Sequence, residues 1–320
     1  MSKARKKKLP QIPLNQCHLF RILSIHALAK RIGWELDTLN KIAKDGSYRI
    51  FKHRETGRQI QEPGPLLQNL HRQLHRYLSR VQTPEYLHSA VKGRSYLTNA
   101  RAHIGCDNLI KIDIAKFYQS VSQHKVMHFF RDTMQCAPDV AGLLANLICF
   151  NGMLATGSSI SPIISYFSYK KLFDDIHNIA LRENLVMTCY VDDITLSGKN
   201  ASGKTLHKVR TTIFQYGLRA HKDSQFSEGN PKLVTGVIVG KEDIALPFSR
   251  WKKIHLQIRE IEGCSDIEQK LRLYPKLLSR LHEAMQIDPK CTALAKKHLT
   301  DFRLLKRRGV VKTLPLPRAA

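Results

Sequence analysis

Three aspartates, at two places in the chain, have the types and spacing needed for metal-assisted phosphoryl transfer. Asp113 ends an apolar segment, and Asp192 and Asp193 stand together between two others. Transfer of a phosphoryl group to a growing chain uses two divalent cations about 4 Å apart, held by carboxylates from different elements. Such carboxylates repel one another unless a cation neutralises them. The three aspartates therefore predict a site for two Mg²⁺ ions.

The first aspartate is predicted to lie on a strand. Residues 109–114 alternate in polarity, so the three isoleucines at 110, 112 and 114 share the face opposite Lys111 and Asp113. Asp113 is thus expected at the end of a strand, pointing away from the core.

The other two aspartates are predicted to form the tip of a hairpin. Residues 186–190 and 194–197 have strand character and flank them. Adjacent residues of a straight strand point to opposite faces, so Asp192 and Asp193 can reach the same ions only if the chain turns there. An Asp-Asp pair in an ordinary solvated turn is the alternative.

The charge balance indicates a polyanionic partner. Lys and Arg total 52 against 26 acidic residues, a formal net charge of +26, so a strong positive field attracts nucleic acid. The alternative is a basic surface that only confers solubility and non-specific binding. Basic residues recur along the chain and concentrate at its ends, at Lys3, Arg5, Lys6, Lys7, Lys8, Lys306, Arg307 and Arg308.

Cysteine usage and hydropathy favour a reducing cytoplasm without membrane insertion. The seven cysteines are scattered and never spaced Cys-x-x-Cys, so neither a disulfide framework nor a zinc ribbon is predicted. Pro10 and Pro13 interrupt the start, which disfavours a secretory leader. Residues 140–169 carry no charge, but Asn, Gly, Ser and Pro break them up, which predicts two buried helices joined by a turn rather than a membrane span.

Other segments give the remaining elements. Residues 28–42 predict two short helices around Gly33, superficially a helix-turn-helix, and residues 48–63 a basic β-hairpin that turns at Thr56 and Gly57. A helix is predicted over 66–81, with leucines on one face and His71, Arg72, His75 and Arg76 displayed elsewhere. Further predictions are a helix over 203–216, a strand over 232–239, and helices over 250–307 with breaks at Gly263 and Pro289.

Four motifs together resemble retron-type bacterial reverse transcriptases. Tyr190-Val-Asp-Asp193 resembles the Tyr-x-Asp-Asp box of reverse transcriptases in general. Three further motifs are Asn99-Ala-Arg-Ala-His103, similar to Asn-Ala-x-x-His, Val234-Thr235-Gly236, similar to Val-Thr-Gly, and Arg58-Gln-Ile-Gln-Glu-Pro63, similar to Arg-x-Ile-x-x-Pro. Together the resemblance covers about residues 25 to 240, with the motifs in the order found in the family.

The resemblance implies an α+β right-hand polymerase fold with a ferredoxin-like palm sheet, fingers made of helices and a hairpin, and a helical thumb. The expected domains are a basic helical region (1–45), fingers (46–108), a palm (109–240) that encloses finger helices at about 121–150, and a thumb (241–320).

The resemblance also implies roles for single residues. Asp113 and Asp192 would bind both magnesium ions, helped by Asp193 and the backbone carbonyl of Ile114. Tyr118 would be a steric gate that rejects the ribonucleotide 2′-hydroxyl, although Tyr118 and its neighbour Phe117 could both be core residues. Arg58 would contact the incoming triphosphate, and the alternative is a solvated cation in the hairpin. The implied RNA contacts are Asn99, His103, Val234, Thr235 and Gly236. Asn99 and His103 could instead only cap a turn.

The chain departs from the family pattern at two nucleotide-binding positions. Where the family commonly reads Leu-Pro-Gln-Gly-Ala-Pro-x-Ser-Pro, residues 154–162 keep Gly157 but have Thr156 in place of the Gln. The usual downstream Lys falls at Ser224, and Lys222 is the candidate replacement, a cation near the leaving pyrophosphate.

The function expected from the resemblance is RNA-directed DNA synthesis. The enzyme would copy its own folded noncoding RNA with dNTPs, start from an internal 2′-hydroxyl, and produce a branched RNA-linked single-stranded DNA (msDNA) that stays bound. It would belong to a retron antiphage defence system with a separate effector protein, in the bacterial cytoplasm. The alternatives are a reverse transcriptase of another type, a catalytically silent RNA-binding scaffold, or a DNA-binding regulator that uses residues 28–42.

Overall fold

The structure is a computed structural model that describes residues 10–45, 47–54 and 56–312, with side chains as far as residue 307. The basic residues at positions 3–8 and the side chain of Arg308, noted in the sequence, lie outside this part of the chain. Two compact units are present. The first comprises the residues up to Asn99 together with Asp107–Glu228, and the second comprises Ala100–Cys106 and the residues from Gly229 onwards.

The N-terminal part of the first unit is mostly helical and contains one hairpin. As predicted, two short helices meet at Gly33, which adopts a left-handed conformation (φ 71°) that a residue without Cβ tolerates. The predicted basic hairpin is also present, and its two strands pair antiparallel. The elements are α1 (Ile25–Ile32), α2 (Leu36–Asp45), β1 (Tyr48–Lys52), β2 (Gln59–Pro63), α3 (Pro65–Leu78) and α4 (Tyr96–Arg101).

The rest of the first unit is a four-stranded sheet with helices. The uncharged segment at residues 140–169 is confirmed as two buried helices joined by a turn. A short hairpin made of two strands of two residues each lies in this turn. The elements are β3 (Leu109–Ile114), α5 (Phe117–Ser120), α6 (Gln123–His128), a π-helical turn (Phe129–Thr133), α7 (Pro138–Ile148), β4 (Cys149–Phe150), β5 (Met153–Leu154), α8 (Ser161–Ser168), α9 (Lys170–Arg182), β6 (Val186–Tyr190), β7 (Asp193–Ser197), α10 (Gly203–Gln215) and β8 (Ala220–Phe226).

The four-stranded sheet has the order β6-β7-β3-β8, and all neighbouring strands run antiparallel. One face is covered by helices, because Ile110, Ile112 and Ile114 of β3 share a hydrophobic core with residues of α9 and α10. Lys111 and Asp113 alternate with these isoleucines and stay half-buried. The sheet thus leaves one face of β3 available for chemistry.

The second unit is a small sheet followed by helices. The strands β9 (Lys232–Val234), β10 (Val237–Val239) and β11 (Ile244–Ala245) pair antiparallel in the order β11-β10-β9. The helices are α11 (Phe248–Gly263), α12 (Ile267–Met285) and α13 (Cys291–Lys312). The predicted breaks at Gly263 and Pro289 are confirmed.

Two sequence-based expectations about local structure are wrong. His71 is fully buried rather than displayed. Residues 232–239 are two strands rather than one, because Thr235 and Gly236 form a tight turn with positive φ at both positions. In addition, strand β8 was not predicted from the sequence.

Two findings concern membranes and cysteines. Among the described helices, none combines the length and the apolar character needed to cross a membrane. All seven cysteines lie in described residues, and each is a free thiol.

Candidate active site

The central strands of the sheet bring the three aspartates together. Asp113 of β3 lies directly opposite Asp193 of β7 in the antiparallel register. The backbone N–H of Ile114 donates to the carbonyl oxygen of Asp192 at 3.0 Å, which ties the end of β3 to the turn before β7. Residues far apart in the sequence therefore share one end of the sheet. The prediction that Asp192 and Asp193 form the tip of a hairpin near Asp113 required this arrangement.

The turn that carries Asp192 has an unusual backbone. Val191 has a φ of 61°, a left-handed conformation that is costly for a β-branched residue. Its N–H donates to the Ser89 hydroxyl at 3.1 Å. This bond helps to hold the strained turn, and a single sequence could not have identified Ser89 as the partner.

Burial and mutual repulsion make the acidic site electrostatically unfavourable. Burial, reinforced chiefly by the charge of Asp113, raises the pKa of Asp192 to about 6, against a smaller lowering by Arg58. Burial and the charge of Asp193 raise the pKa of Asp113, which Lys222 and other cations oppose. Carboxylates that resist ionisation in this way would be stabilised by divalent cations. The two carboxylates of Asp113 and Asp192 are therefore chemically suitable donors for such ions.

Asp193 has a different environment from the other two aspartates. Its Oδ1 lies 3.0 Å from Lys111 Nζ, in an ion pair without hydrogen-bond geometry. In the part of the chain that the structure describes, no three or more His, Cys, Asp or Glu side chains are grouped so that they could hold a metal ion. The magnesium assignment of Asp113, Asp192 and Asp193 stays a prediction.

Two neighbouring aromatic residues after β3 differ in burial. Phe117 belongs to the core, at 3% exposure, whereas Tyr118 is only partly buried. Burial and the nearby charge of Asp192 raise the pKa of Tyr118 above its ordinary value. Tyr118 therefore lies close enough to Asp192 for the two groups to interact electrostatically, and its role as a gate stays a prediction.

The hairpin β1–β2 is tied to the segment that departs from the family pattern. The N–H of Gln61 donates to the Thr156 hydroxyl at 3.3 Å, and the N–H of Thr156 donates to Gln61 Oε1 at 3.1 Å. The N–H of Gly157 donates to the Gln61 carbonyl at 3.0 Å. Thr156 thus joins two elements of the site, and the same hairpin carries the exposed Arg58 in its loop. The pairing of Gln61 with Thr156 was not predicted, because it depends on tertiary structure.

Gly157→Ala should push the hairpin away from this segment. A Cβ at Gly157 would lie 2.6 Å from the Gln61 carbonyl oxygen, so the backbone must shift. We expect a loss of about 1–3 kcal/mol in the free energy of unfolding, measured with urea. The matched control is Gly142→Ala in α7, where a Cβ meets nothing within 4 Å, and which should stabilise by roughly 0.5–1 kcal/mol. Equal effects of the two changes would contradict the close contact.

The buried His71 holds the same segment from the other side. Its Nε2–H donates to the Leu147 carbonyl at 2.7 Å, which leaves Nδ1 to accept from the Ser158 hydroxyl at 2.7 Å. Burial lowers the pKa of His71 to about 4, so the ring is neutral at pH 7. The neutral ring, with its proton on Nε2, can make both hydrogen bonds.

His71 should make stability pH-dependent. Its pKa is lower in the folded state than the ordinary value of 6.5. Between pH 6.5 and 4 the His71 ring is therefore protonated in the unfolded chain but neutral in the folded protein. Stability should therefore fall as the pH drops through this window, by about 1.4 kcal/mol per pH unit. The measurement is urea unfolding at pH 7, 6 and 5. His71→Gln should remove this part of the slope, and the exposed control His124→Gln should retain it. Parallel profiles for His71→Gln and the wild type would contradict the assignment.

The candidate replacement for the family lysine lies beside the site. Lys222 is exposed in β8, where the register with β3 shifts between Lys111 and Asp113. Its φ is 50°, and its charge is one of those that lower the pKa of Asp113. Ser224 instead pairs with Lys111 in the register. These positions are compatible with the predicted role of Lys222.

The residues predicted to contact RNA are mostly buried. In the first unit, Asn99 is fully buried. In the second unit, His103 is 1% exposed and Val234 is buried, while Thr235 and Gly236 are half-exposed in the turn between β9 and β10. RNA contact through Asn99 and His103 would need to be indirect. The RNA-binding role of all five residues stays a prediction.

The comparison with known families agrees with the site. A sequence profile described as reverse transcriptase (RNA-dependent DNA polymerase) matches residues 42–225, more than half of the chain and all three aspartates. The chain belongs to this family.

Similarity to individual relatives indicates the type of reverse transcriptase. The chain is 31% identical over 197 residues to the retron Se72 reverse transcriptase of Salmonella heidelberg (strain 579083-10). The aligned region covers 59% of this chain and 52% of the relative. It is 26% identical over 252 residues to the retron Ec86 reverse transcriptase of Escherichia coli, covering 74% and 78%. The chain thus spans about half the length of the first relative. Both similarities support the retron type.

Among solved structures, similarity extends to telomerase from Candida albicans, with a TM-score of 0.45 and 13% identity over 81% of this chain and 57% of that one. Telomerase from Candida tropicalis gives a TM-score of 0.42 with 12% identity, covering 66% and 59%.

Proposed function

We propose that the chain is an RNA-directed DNA polymerase whose reaction takes place at the end of β3. The observation that carries the proposal is the approach of Asp113 and Asp192 at adjoining ends of neighbouring strands. Two carboxylates whose pKa values are raised by burial and repulsion are suited to bind divalent cations at a polymerase centre. Membership of the reverse transcriptase family supports the same reaction.

Asp113 and Asp192 would hold two Mg²⁺ ions, with Asp193 and the backbone carbonyl of Ile114 beside them. Bound there, the ions would activate the attacking hydroxyl and neutralise charge on the transferring phosphate. The pairing of Asp193 with Lys111 makes Asp193 a supporting residue in this scheme.

The protein's own residues would do the positioning. Arg58, whose charge acts on Asp192, would bind the triphosphate of the incoming dNTP. Gly157 and Thr156 would fix the hairpin that carries Arg58. Tyr118 would exclude a ribose 2′-hydroxyl, and Lys222 would stabilise the departing pyrophosphate.

We propose the family's domain names for the chain: fingers at 46–108, palm at 109–240 with enclosed finger helices at about 121–150, thumb at 241–320, and a helical region at 1–45. The support is the antiparallel sheet with two helices on one face and the three-helix C-terminal region. The compact units divide between Glu228 and Gly229, whereas the proposed palm continues to residue 240.

The finer proposal concerns the template and the product. The template would be a folded noncoding RNA, priming would start from an internal guanosine 2′-hydroxyl, and the product would be msDNA that stays bound within a retron antiphage system with a separate effector. The support is similarity to retron Se72 and Ec86 reverse transcriptases and the formal charge of +26. A reducing bacterial cytoplasm would suit the seven free thiols.

The test is to express the full chain together with the genomic segment upstream of its coding sequence, and to isolate the nucleic acid that copurifies. The expected result is DNA that is destroyed by DNase, remains linked to RNA after denaturation, and is released by cleavage of a 2′,5′ branch. Purified protein should also extend a primer on RNA with dNTPs and Mg²⁺.

Each other outcome points to one alternative. Copurifying RNA without DNA, combined with no extension activity, would indicate a silent RNA-binding scaffold. Extension on RNA without a 2′,5′ linkage would indicate a reverse transcriptase of another type.

A further inference from the structure

The outer face of α10 carries an unusual combination of groups. His207, Arg210, Thr211 and Phe214 follow the i, i+3, i+4, i+7 spacing of one helical face. Phe214 is 74% exposed, although an aromatic ring of this size is normally at least partly covered. An exposed ring beside cations is therefore a feature that packing of the first unit does not explain.

The ring borders a shallow depression of about 600 Å³ lined by His207, Arg210, Thr211, Phe214, Leu218 and Arg219. Leu218 is buried and provides an apolar floor. The depression therefore combines a flat apolar surface with guanidinium groups.

This surface lies on the helix side of the sheet, although its edge comes near the end of β3, where the Arg219 carbonyl accepts from the N–H of Ala115 at 2.9 Å. The inner residues of α10, Val209 and Ile213, belong to the same core as Ile112 of β3. Asp113 alternates with Ile112 and projects to the opposite side of the sheet. A ligand on the outer face of α10 would thus be separated from Asp113 by the sheet and by the helix itself.

The charge of this region favours a polyanion. Residues 194–222 contain six Lys or Arg and no Asp or Glu. Two of these cations are partly neutralised from outside the segment: Arg210 by Asp223 at 3.2 Å and Lys208 by Glu183 at 2.6 Å. Among the ion pairs of the described residues, Arg219 has no carboxylate partner. Arg219 therefore supplies an uncompensated charge next to the exposed ring.

We propose that the α10 face, defined as His207, Arg210, Thr211, Phe214, Leu218 and Arg219, is a docking site for single-stranded nucleic acid. A base stacks on Phe214 and the adjoining phosphates contact Arg219 and Arg210. An acidic protein segment would satisfy the cations but has no requirement for a flat exposed ring, so nucleic acid is the better match. This site does not depend on the proposed polymerase activity, because binding is measured without dNTPs.

The test uses the full chain and a fluorescent single-stranded DNA of twenty thymidines, with a saturating unlabelled RNA–DNA duplex present to occupy any groove for the growing product. We expect residual saturable binding that Phe214→Ala and Arg219→Ala each weaken by about tenfold. Arg219→Ala should also reduce the salt dependence of binding by about one phosphate contact. Phe214→Trp should retain binding, which distinguishes stacking from a structural role.

The matched controls are Leu181→Ala and Arg182→Ala on α9, an exposed apolar residue and an exposed cation on a neighbouring helix. Neither should change binding, and all variants should show the unfolding temperature of the wild type. An oligonucleotide that carries 5-iodouracil should crosslink to Phe214. The proposal is overturned if no binding remains beside the duplex, if the α10 variants bind like the controls, or if polyglutamate displaces the DNA and binds more tightly, which would indicate an acidic protein partner.

Discussion

Asp192→Asn should lower dNTP incorporation by about a thousandfold or more while the protein still folds and binds RNA. The substitution keeps the size of the side chain but removes the charge that would hold the divalent cations, and such losses at a polymerase centre affect the transition state rather than RNA affinity. Single-turnover extension of a primer on RNA, with saturating Mg²⁺, measures the effect. RNA affinity is followed separately by equilibrium binding.

Although Asp192→Asn should lower activity, it should raise the stability of the folded protein. Burial and Asp113 raise the pKa of Asp192 to about 6, so at pH 7 its ionised form destabilises the folded state, and this cost disappears as the pH falls towards 3.8. Without divalent cations, Asp192→Asn should therefore raise the free energy of unfolding by about 1–3 kcal/mol.

The control for this prediction is Asp132→Asn on an exposed surface, where the carboxylate pairs with Arg131 and His128. It should leave DNA synthesis unchanged. Near-normal synthesis by Asp192→Asn would remove the basis for the polymerase site.

Tyr118→Ala should admit ribonucleotides. The ring is half-buried beside the acidic turn, where its removal would open space for a 2′-hydroxyl. We expect the preference for dGTP over GTP, measured as the ratio of kcat/KM values in primer extension, to fall by on the order of a hundredfold.

Tyr118→Phe is the conservative control, because it keeps the ring and should keep most of the discrimination. Phe117→Ala, in the core at 3% exposure, should lower stability by about 3–5 kcal/mol through the cavity that it leaves. If Tyr118→Ala folds normally and its nucleotide preference is unchanged, Tyr118 is a packing residue and not a gate.

The strands that carry the aspartates could be predicted because their pattern is local. The alternating isoleucines of 109–114 and the apolar segments around residues 191–193 gave β3, β6 and β7 directly. Strand β8 was missed because its sequence, Ala-His-Lys-Asp-Ser-Gln-Phe, has almost no apolar residue. Its position at the sheet edge allows this polarity, and edge position depends on topology rather than on local sequence.

Burial of His71 could have been predicted. It occurs between Leu67, Leu70 and Leu74 at the spacing of the same apolar face, and only its residue type argued for exposure. Its partner Ser158 could not have been predicted, since that contact joins residues 87 positions apart. The same holds for the ion pair of Asp193 with Lys111, which requires the β3–β7 register.

The two edges of the four-stranded sheet are protected from uncontrolled growth in different ways. Beside the acidic turn, the carbonyl of Tyr86 accepts from the N–H of Cys189 at 2.7 Å, and the N–H of His88 donates to the Cys189 carbonyl at 2.8 Å, so the chain itself occupies that edge of β6. The other edge, β8, displays charged and polar side chains and a register shift at Lys222, both of which hinder pairing with a foreign strand. Both edges of this sheet therefore resist pairing with a second copy, even where many copies of so basic a chain lie side by side on one nucleic acid.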